Sequence, residues 1–220
     1  MRLLQTAASE LSWLRFALWR RAKSRLLGVK RLLVRPKVPT SRDGRVYVHL
    51  GCGDVAIPGF INVDIRAAPH VHYIHDVTDL SIFSEGYADL IYACHVLEHV
   101  RHTAVKHTLW EWRRVLKPGG ILRLSVPDFD KIVLIYESCD KDLESILRPL
   151  MGGQNYSSNA HHAVFNEAYL IKRLQEVGFK HVRSWDPHEV FHRAFEDWAC
   201  SPFVVHGQAY PISLNVEAVK

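Results

Sequence analysis

Two glycines and a carboxylate have the spacing of a ligand site: Gly51 and Gly53 in Val46-Tyr-Val-His-Leu-Gly-Cys-Gly-Asp54, and Asp64 in Phe60-Ile-Asn-Val-Asp-Ile65. An apolar strand running into a glycine turn, then a second strand ending in a carboxylate, is how an α/β sheet cradles an adenosine-type ligand. Neither glycine carries a Cβ, so the backbone can turn sharply and come close to what it binds. Asp64 is placed to accept hydrogen bonds from two ribose hydroxyls. Further along, His95, Asp128, His161 and His162 offer groups that accept or donate a proton.

The spacing discriminates between cofactors. A dinucleotide fingerprint needs a third glycine, which lets a helix pack tightly beneath a pyrophosphate. Here the run is Gly51-Cys-Gly-Asp-Val-Ala56, and that glycine is missing. This argues against a nicotinamide-dependent oxidoreductase. A ligand without phosphates, such as S-adenosylmethionine, fits the shorter turn.

The elements needed to position these residues follow in order. Tyr87-Ala-Asp-Leu-Ile-Tyr-Ala-Cys-His95 reads as a buried parallel strand with His95 at its end. Leu109, Trp112 and Leu116 recur at helical spacing before a break at Lys117-Pro-Gly-Gly120, and Ile121 to Val126 forms the next strand. With these motifs in place the sequence resembles the class I S-adenosylmethionine-dependent methyltransferases, from about residue 45 to the C-terminus. The resemblance rests on His49-Leu-Gly-Cys-Gly53, Asp64, Ala93-Cys-His-Val-Leu-Glu-His99 and Arg114-Val-Leu-Lys-Pro-Gly-Gly120. Within that group the chain is similar to methyltransferases of bacterial surface-polysaccharide and lipopolysaccharide assembly. The narrower likeness lies in Pro58-Gly-Phe-Ile-Asn-Val-Asp-Ile65, Leu124-Ser-Val-Pro-Asp128, Gly152-Gly-Gln154 with His162, and Ile212-Ser-Leu-Asn-Val-Glu-Ala218.

The resemblance implies a Rossmann-like α/β fold, a seven-stranded mostly parallel sheet in the order 3-2-1-4-5-7-6 with helices on both faces. It implies S-adenosylmethionine as cofactor, held by Gly51, Cys52, Gly53, Asp64, Ile65, Asp76, Val77 and His95. Asp76 would meet the adenine edge, or else cap its own turn. Methyl transfer needs an acceptor held in line and, for an alcohol, a base to take its proton. His162 is the favoured base, and His95 is presented between cofactor and acceptor. Asp128, just before Phe129-Asp-Lys-Ile132, reads better as a helix N-cap than as a base. His188 and His192 are further pocket candidates without a specific argument.

His95-Val-Leu-Glu-His99 also spells H-x-x-E-H, a zinc-peptidase pattern elsewhere. It begins at a strand end where a Leu-Glu-His run is ordinary, so no metal is assigned, and binding of a divalent ion near His95, Glu98 and His99 stays open. Cys52, Cys94, Cys139 and Cys200 lack C-x-x-C spacing, which suits neither a zinc ribbon nor a disulfide framework and fits a reducing compartment.

With 220 residues, 48% of them hydrophobic, the chain can build one packed domain and a short appendage. The net charge of +5 is uneven: ten basic residues and no acidic one lie between Leu11 and Arg42, while elsewhere 23 Asp and Glu outnumber the remaining Lys and Arg. Leu11, Leu14, Leu18, Ala22, Leu26, Val29 and Leu33 form a helical stripe within that basic stretch. A basic amphipathic helix over 11–35 suits an anionic membrane surface, and Arg20 and Arg21 keep it from spanning a bilayer. Packing on the domain or on a second subunit, a cleaved targeting peptide and RNA binding stay open for this segment.

These readings divide the chain into a basic helix and linker (1–42) and an S-adenosylmethionine-binding domain (43–220) with a helical lid near 127–165. Strands are expected near 45–50, 61–65, 71–75, 88–93, 120–126, 179–185 and 212–219, with Asn166 capping a helix that Gly178 stops. The expected activity is O-methylation of a sugar hydroxyl on a surface glycan or its lipid-linked precursor, in the cytoplasm and peripherally on the inner face of the membrane. A small-molecule or RNA acceptor, and a non-catalytic cofactor-binding protein, are the alternatives. Basic residues gathered in one terminal helix rather than round the cleft disfavour nucleic acid.

Overall fold

The computed structural model describes residues 36–41, 43–188 and 197–220. The expected amphipathic helix at 11–35 lies outside them, as does His192. Four parallel strands come first: β1 (Tyr47–Leu50), β2 (Phe60–Asp64), the two-residue β3 (Tyr73–Ile74) and β4 (Ala88–Cys94). Helix α1 (Val105–Val115) leads directly into β5 (Leu116–Pro127), followed by α2 (Phe129–Ser138), α3 (Leu147–Met151), α4 (Glu167–Glu176) and β6 (Lys180–Ser184). A hairpin of β7 (Phe203–Val205) and β8 (Gln208–Tyr210) precedes the last strand, β9 (Ser213–Val219).

The seven-stranded sheet runs β3-β2-β1-β4-β5-β9-β6, with β9 antiparallel to both β5 and β6. That is the order expected from the sequence, the hairpin β7-β8 standing apart as a second sheet. The hairpin was not foreseen. Its signal is His206-Gly207 with φ of 48° and 80°, the paired positive angles of a tight primed turn.

Central strands are buried on both faces, as parallel strands are. On one face Val48, Ile91, Leu122 and Val216 pack with Leu109 and Trp112 of α1 and Leu170 and Leu174 of α4. The alternate residues Tyr47, Leu90 and Tyr92 pack with Phe60, Ile57 and Trp185. Helix α4 begins where Asn166 Oδ1 accepts the Tyr169 N–H at 3.0 Å, and α2 where Asp128 Oδ1 accepts the Asp130 N–H at 3.2 Å. Both expected caps are therefore in place.

The expected break at Lys117-Pro118-Gly119-Gly120 is shorter than the sequence suggests. Leu116 already pairs with Ala88, and the Gly119 N–H and Gly120 carbonyl both bond Lys220, so the segment is recruited into the sheet. Helix α1 also fixes the loop after β3: Trp112 Nε1 donates to the Val77 carbonyl at 2.7 Å and the Leu80 N–H donates to Glu111 Oε1 at 3.0 Å. The loop carrying Asp76 is thereby tied to a buried helix.

Candidate active site

The C-terminal ends of β1, β2 and β4 open on one cleft of about 1640 Å³. This is where an open parallel sheet binds ligands, and the volume exceeds what one small ligand fills, leaving room for two reactants. Gly51, Cys52, Gly53, Asp64, Ile65, Asp76, Val77, His95 and His162 all line it.

The glycine turn fits a closely held ligand. Gly51 has φ of 59°, and a Cβ there would stand 2.4 Å from Val96 Cγ2. Below it Asp64 is buried, and its carboxylate is already engaged: Oδ2 accepts the Gly53 N–H and Oδ1 the Arg66 N–H, each at 2.7 Å. Each oxygen keeps a second lone pair, so Asp64 can brace the turn and still accept from a ribose. Sequence reasoning assigned it only the second task. Cys52 is a packing residue here, its thiol pushed up to about 12 by burial, with Asp64 adding to the effect. Asp76 Oδ1 accepts from the Thr78 N–H at 2.9 Å and hydroxyl at 2.8 Å, the turn cap that was its alternative role.

Arg66 carries no motif and was missed. Its guanidinium lies 5.1 Å from the Tyr156 ring centroid, with Nε 3.5 Å from Asp64 Oδ1. It thus links the glycine turn to the segment 147–162, much of which forms the opposite wall of the cleft. Gly152 sets the path of that wall: its φ is 79°, and a Cβ would meet the Asn159 carbonyl oxygen at 2.3 Å and His161 Cδ2 at 2.9 Å.

The histidines sort themselves around Glu98. His95 follows β4 with φ of 52°, a left-handed backbone that a side chain at a strand end adopts only when its surroundings hold it. Its Nε2 lies 2.8 Å from Ser213 Oγ and its Nδ1 3.2 Å from Glu98 Oε1. The Glu98 carbonyl accepts the His162 N–H at 2.7 Å and the Ala163 N–H at 3.1 Å, fastening the wall to the end of β4. His162 keeps an exposed ring in the cleft, whereas His161 turns inward, with Nε2 4.0 Å from Glu98 Oε1 and its ring edge-on to His99 at 4.9 Å. Burial pushes the Glu98 carboxyl up, yet the facing His95, His99 and His161 outweigh it and hold it below its ordinary value. Burial likewise lowers His161, against the pull of Glu98. His188 is exposed and does not line the cleft.

Comparison with known proteins bears on this geometry. Residues 58–124 match a family model described as a methyltransferase domain. Among solved structures, a SAM-dependent methyltransferase from Archaeoglobus fulgidus is 14% identical with a TM-score of 0.50, over 80% of this chain and 86% of that one. The CurJ carbon methyltransferase is 16% identical with a TM-score of 0.51, over 84% of this chain and 49% of the other. A 1,6-didemethyltoxoflavin-N1-methyltransferase from Burkholderia thailandensis, solved with 1,6-didemethyltoxoflavin and S-adenosylhomocysteine, is 16% identical with a TM-score of 0.49, over 91% and 77%. No curated protein matches the chain. The match of residues 58–124 to a methyltransferase domain, together with the sheet order, supports a methyltransferase enzyme.

Proposed function

We propose that this methyltransferase acts on a hydroxyl group, carried by a sugar of a surface glycan or of its lipid-linked precursor. The observation that carries the hydroxyl reading is the side-chain set at the end of β4: His95, Glu98, His99, His161 and His162 line the cleft that the glycine turn also lines. A poorly acidic alcohol needs a base, and neutral imidazoles suit that task near neutral pH. The glycan reading is supported by the likeness of residues 58–65, 124–128, 152–154 and 212–218 to enzymes of surface-polysaccharide assembly.

In this reading Gly51, Cys52, Gly53, Asp64, Ile65, Asp76 and Val77 hold the cofactor, which supplies an electrophilic methyl group when bound. His95, fixed by Ser213, limits where the acceptor oxygen can lie. His162, with its ring exposed in the cleft, takes the hydroxyl proton. The acceptor oxygen would thereby gain the methyl group, and the cofactor would be left as a neutral thioether. The segment 127–165 acts as a lid, and the basic stretch 11–35 brings the enzyme to the inner face of an anionic membrane from the cytoplasm.

The test is transfer of a labelled methyl group from S-adenosylmethionine to lipid-linked glycans, with product analysis. Wild-type enzyme should yield a methyl ether, and His162→Ala should lower kcat by about 10²-fold or more while leaving cofactor affinity unchanged. Methylation of nitrogen or carboxylate acceptors alone would refute the hydroxyl reading.

A further inference from the structure

Glu98 is almost wholly buried, and among the described residues neither of its carboxylate oxygens accepts a hydrogen bond. An interior carboxylate without donors is unfavourable, so such a group calls for a cation. What surrounds it is imidazole: His95 Nδ1 at 3.2 Å and His161 Nε2 at 4.0 Å from Oε1, with His99 against His161.

Two hydrogen bonds show which ring nitrogens bear lone pairs. His99 Nδ1 lies 3.0 Å from the Ala160 carbonyl oxygen, which can only accept, so Nδ1 carries the proton and Nε2 is bare. Ser213 gives its hydroxyl proton to the Trp198 carbonyl and so must accept from His95 Nε2. A neutral His95 then turns a bare Nδ1 toward the carboxylate, an unfavourable pairing unless positive charge stands between them. An imidazole whose second N–H is held by a carbonyl is the arrangement of metal-ligating histidines. One donor atom each from Glu98, His99 and His161 lie within 4.8 Å of one another. A tetrahedral zinc site sets its donors roughly 3.3 Å apart, a contraction that small side-chain rotations supply.

We propose that Glu98, His99 and His161 bind a divalent transition-metal ion of the Zn²⁺ type, with His95 beside it. Two imidazoles and one carboxylate favour such an ion over Mg²⁺ or Ca²⁺, which take oxygen donors. Three protein ligands leave a coordination position open, as in catalytic rather than structural zinc sites. All three ligands line the cleft, so that position faces the space where an acceptor would lie. There the ion would hold the acceptor oxygen and ease loss of its proton to His162. That role rests on the hydroxyl methyl-transfer reading; binding of the ion does not.

The test is calorimetric titration of the chelator-treated full-length protein with Zn²⁺, and with Co²⁺ read by its visible ligand-field absorption. Wild-type protein should bind one equivalent. His99→Ala and His161→Ala should each weaken binding by more than about tenfold, the least that loss of a supporting partner costs such a site. Glu98→Gln should abolish it, and His206→Ala, in the exposed hairpin turn, should leave it unchanged. Absence of stoichiometric binding in the wild type, or affinity unmoved by both histidine variants, would overturn the site. S-adenosylhomocysteine titrated in parallel separates the two proposals: loss of metal binding alone removes the ion, and loss of nucleoside binding alone removes the methyl-transfer reading.

Discussion

The Gly53 N–H donates to Asp64 Oδ2 at 2.7 Å, so the residue expected to meet the ribose also holds the turn that would face the methionine portion. Asp64 Oδ1 accepts the Arg66 N–H at the same distance. A carboxylate can satisfy both donors, but an amide has only one acceptor oxygen. Asp64→Asn should therefore lower stability without any cofactor present, by about 1–3 kcal/mol for an orphaned N–H. It should also weaken S-adenosylmethionine binding in a calorimeter. A urea midpoint equal to that of the wild type would show that Asp64 serves the ligand alone.

Gly51 and Val96 make a second test of the turn. Gly51→Ala would require a non-glycine φ of 59°, unfavourable by about 1–2 kcal/mol, and would drive a Cβ into Val96 Cγ2. Removing both Val96 γ-carbons in Gly51→Ala/Val96→Ala relieves the collision but not the backbone angle. The double variant should be more stable than the sum of its single variants predicts, with a coupling of about 0.5–3 kcal/mol in denaturant melts. Strict additivity would mean that the two side chains do not meet.

How much of this site was legible in the sequence depends on how local its chemistry is. The caps at Asn166 and Asp128 and the tight turn at Gly51 and Gly53 act within a few residues and could be read from spacing, whereas the bond from the Gly53 N–H to Asp64 on the adjacent strand could not. Spacing does not separate His161 from His162, and only the resemblance favoured His162, because which ring turns inward depends on Gly152 packing against Asn159 and on the 161–163 backbone bonding to Met151 and Glu98. The His95 contact with Ser213 joins residues 118 apart in sequence, and no pattern predicts it. Arg66 went unnoticed because an arginine after a strand is commonplace. The hairpin at 203–210 did leave a signal in His206-Gly207, overlooked because the surrounding strands are only three residues long.

Cys52 lies inside the glycine turn and invites assignment as a nucleophile. Its burial, aided by Asp64, pushes the thiol up to about 12, so almost no thiolate exists near neutral pH. Iodoacetamide at about pH 8 should leave Cys52 unmodified in the folded protein and label it only after denaturation, while the half-buried Cys200 reacts earlier. Peptide mass mapping reads the outcome, and rapid native labelling of Cys52 would contradict the packing role.

Glu217 on β9 stands in register with Arg123 on β5 and Arg183 on β6, and bonds both: Arg123 Nε to Oε2 and Arg183 Nη2 to Oε1, each at 2.7 Å. The two arginines differ in exposure, with 9% of the Arg123 side chain accessible against 74% for Arg183. Burial pushes the Glu217 carboxyl up, but the Arg183 and Arg123 hydrogen bonds outweigh it and hold it below its ordinary value of 4.5. A depressed folded value means that this stabilisation is present above the unfolded pKa and is lost as pH falls through the folded one. Glu217→Gln should thus destabilise the protein by about 3 kcal/mol near neutral pH, because it removes the carboxylate that the buried Arg123 bonds. Arg183→Ala, which removes the solvent-exposed partner, should cost less than about 1 kcal/mol. In urea melts the difference between wild type and Glu217→Gln should hold from neutral pH down to about 4.5 and shrink steadily over the range below it. A gap that stays constant over that range would mean that the carboxylate charge contributes nothing to joining the antiparallel edge of the sheet to its parallel body.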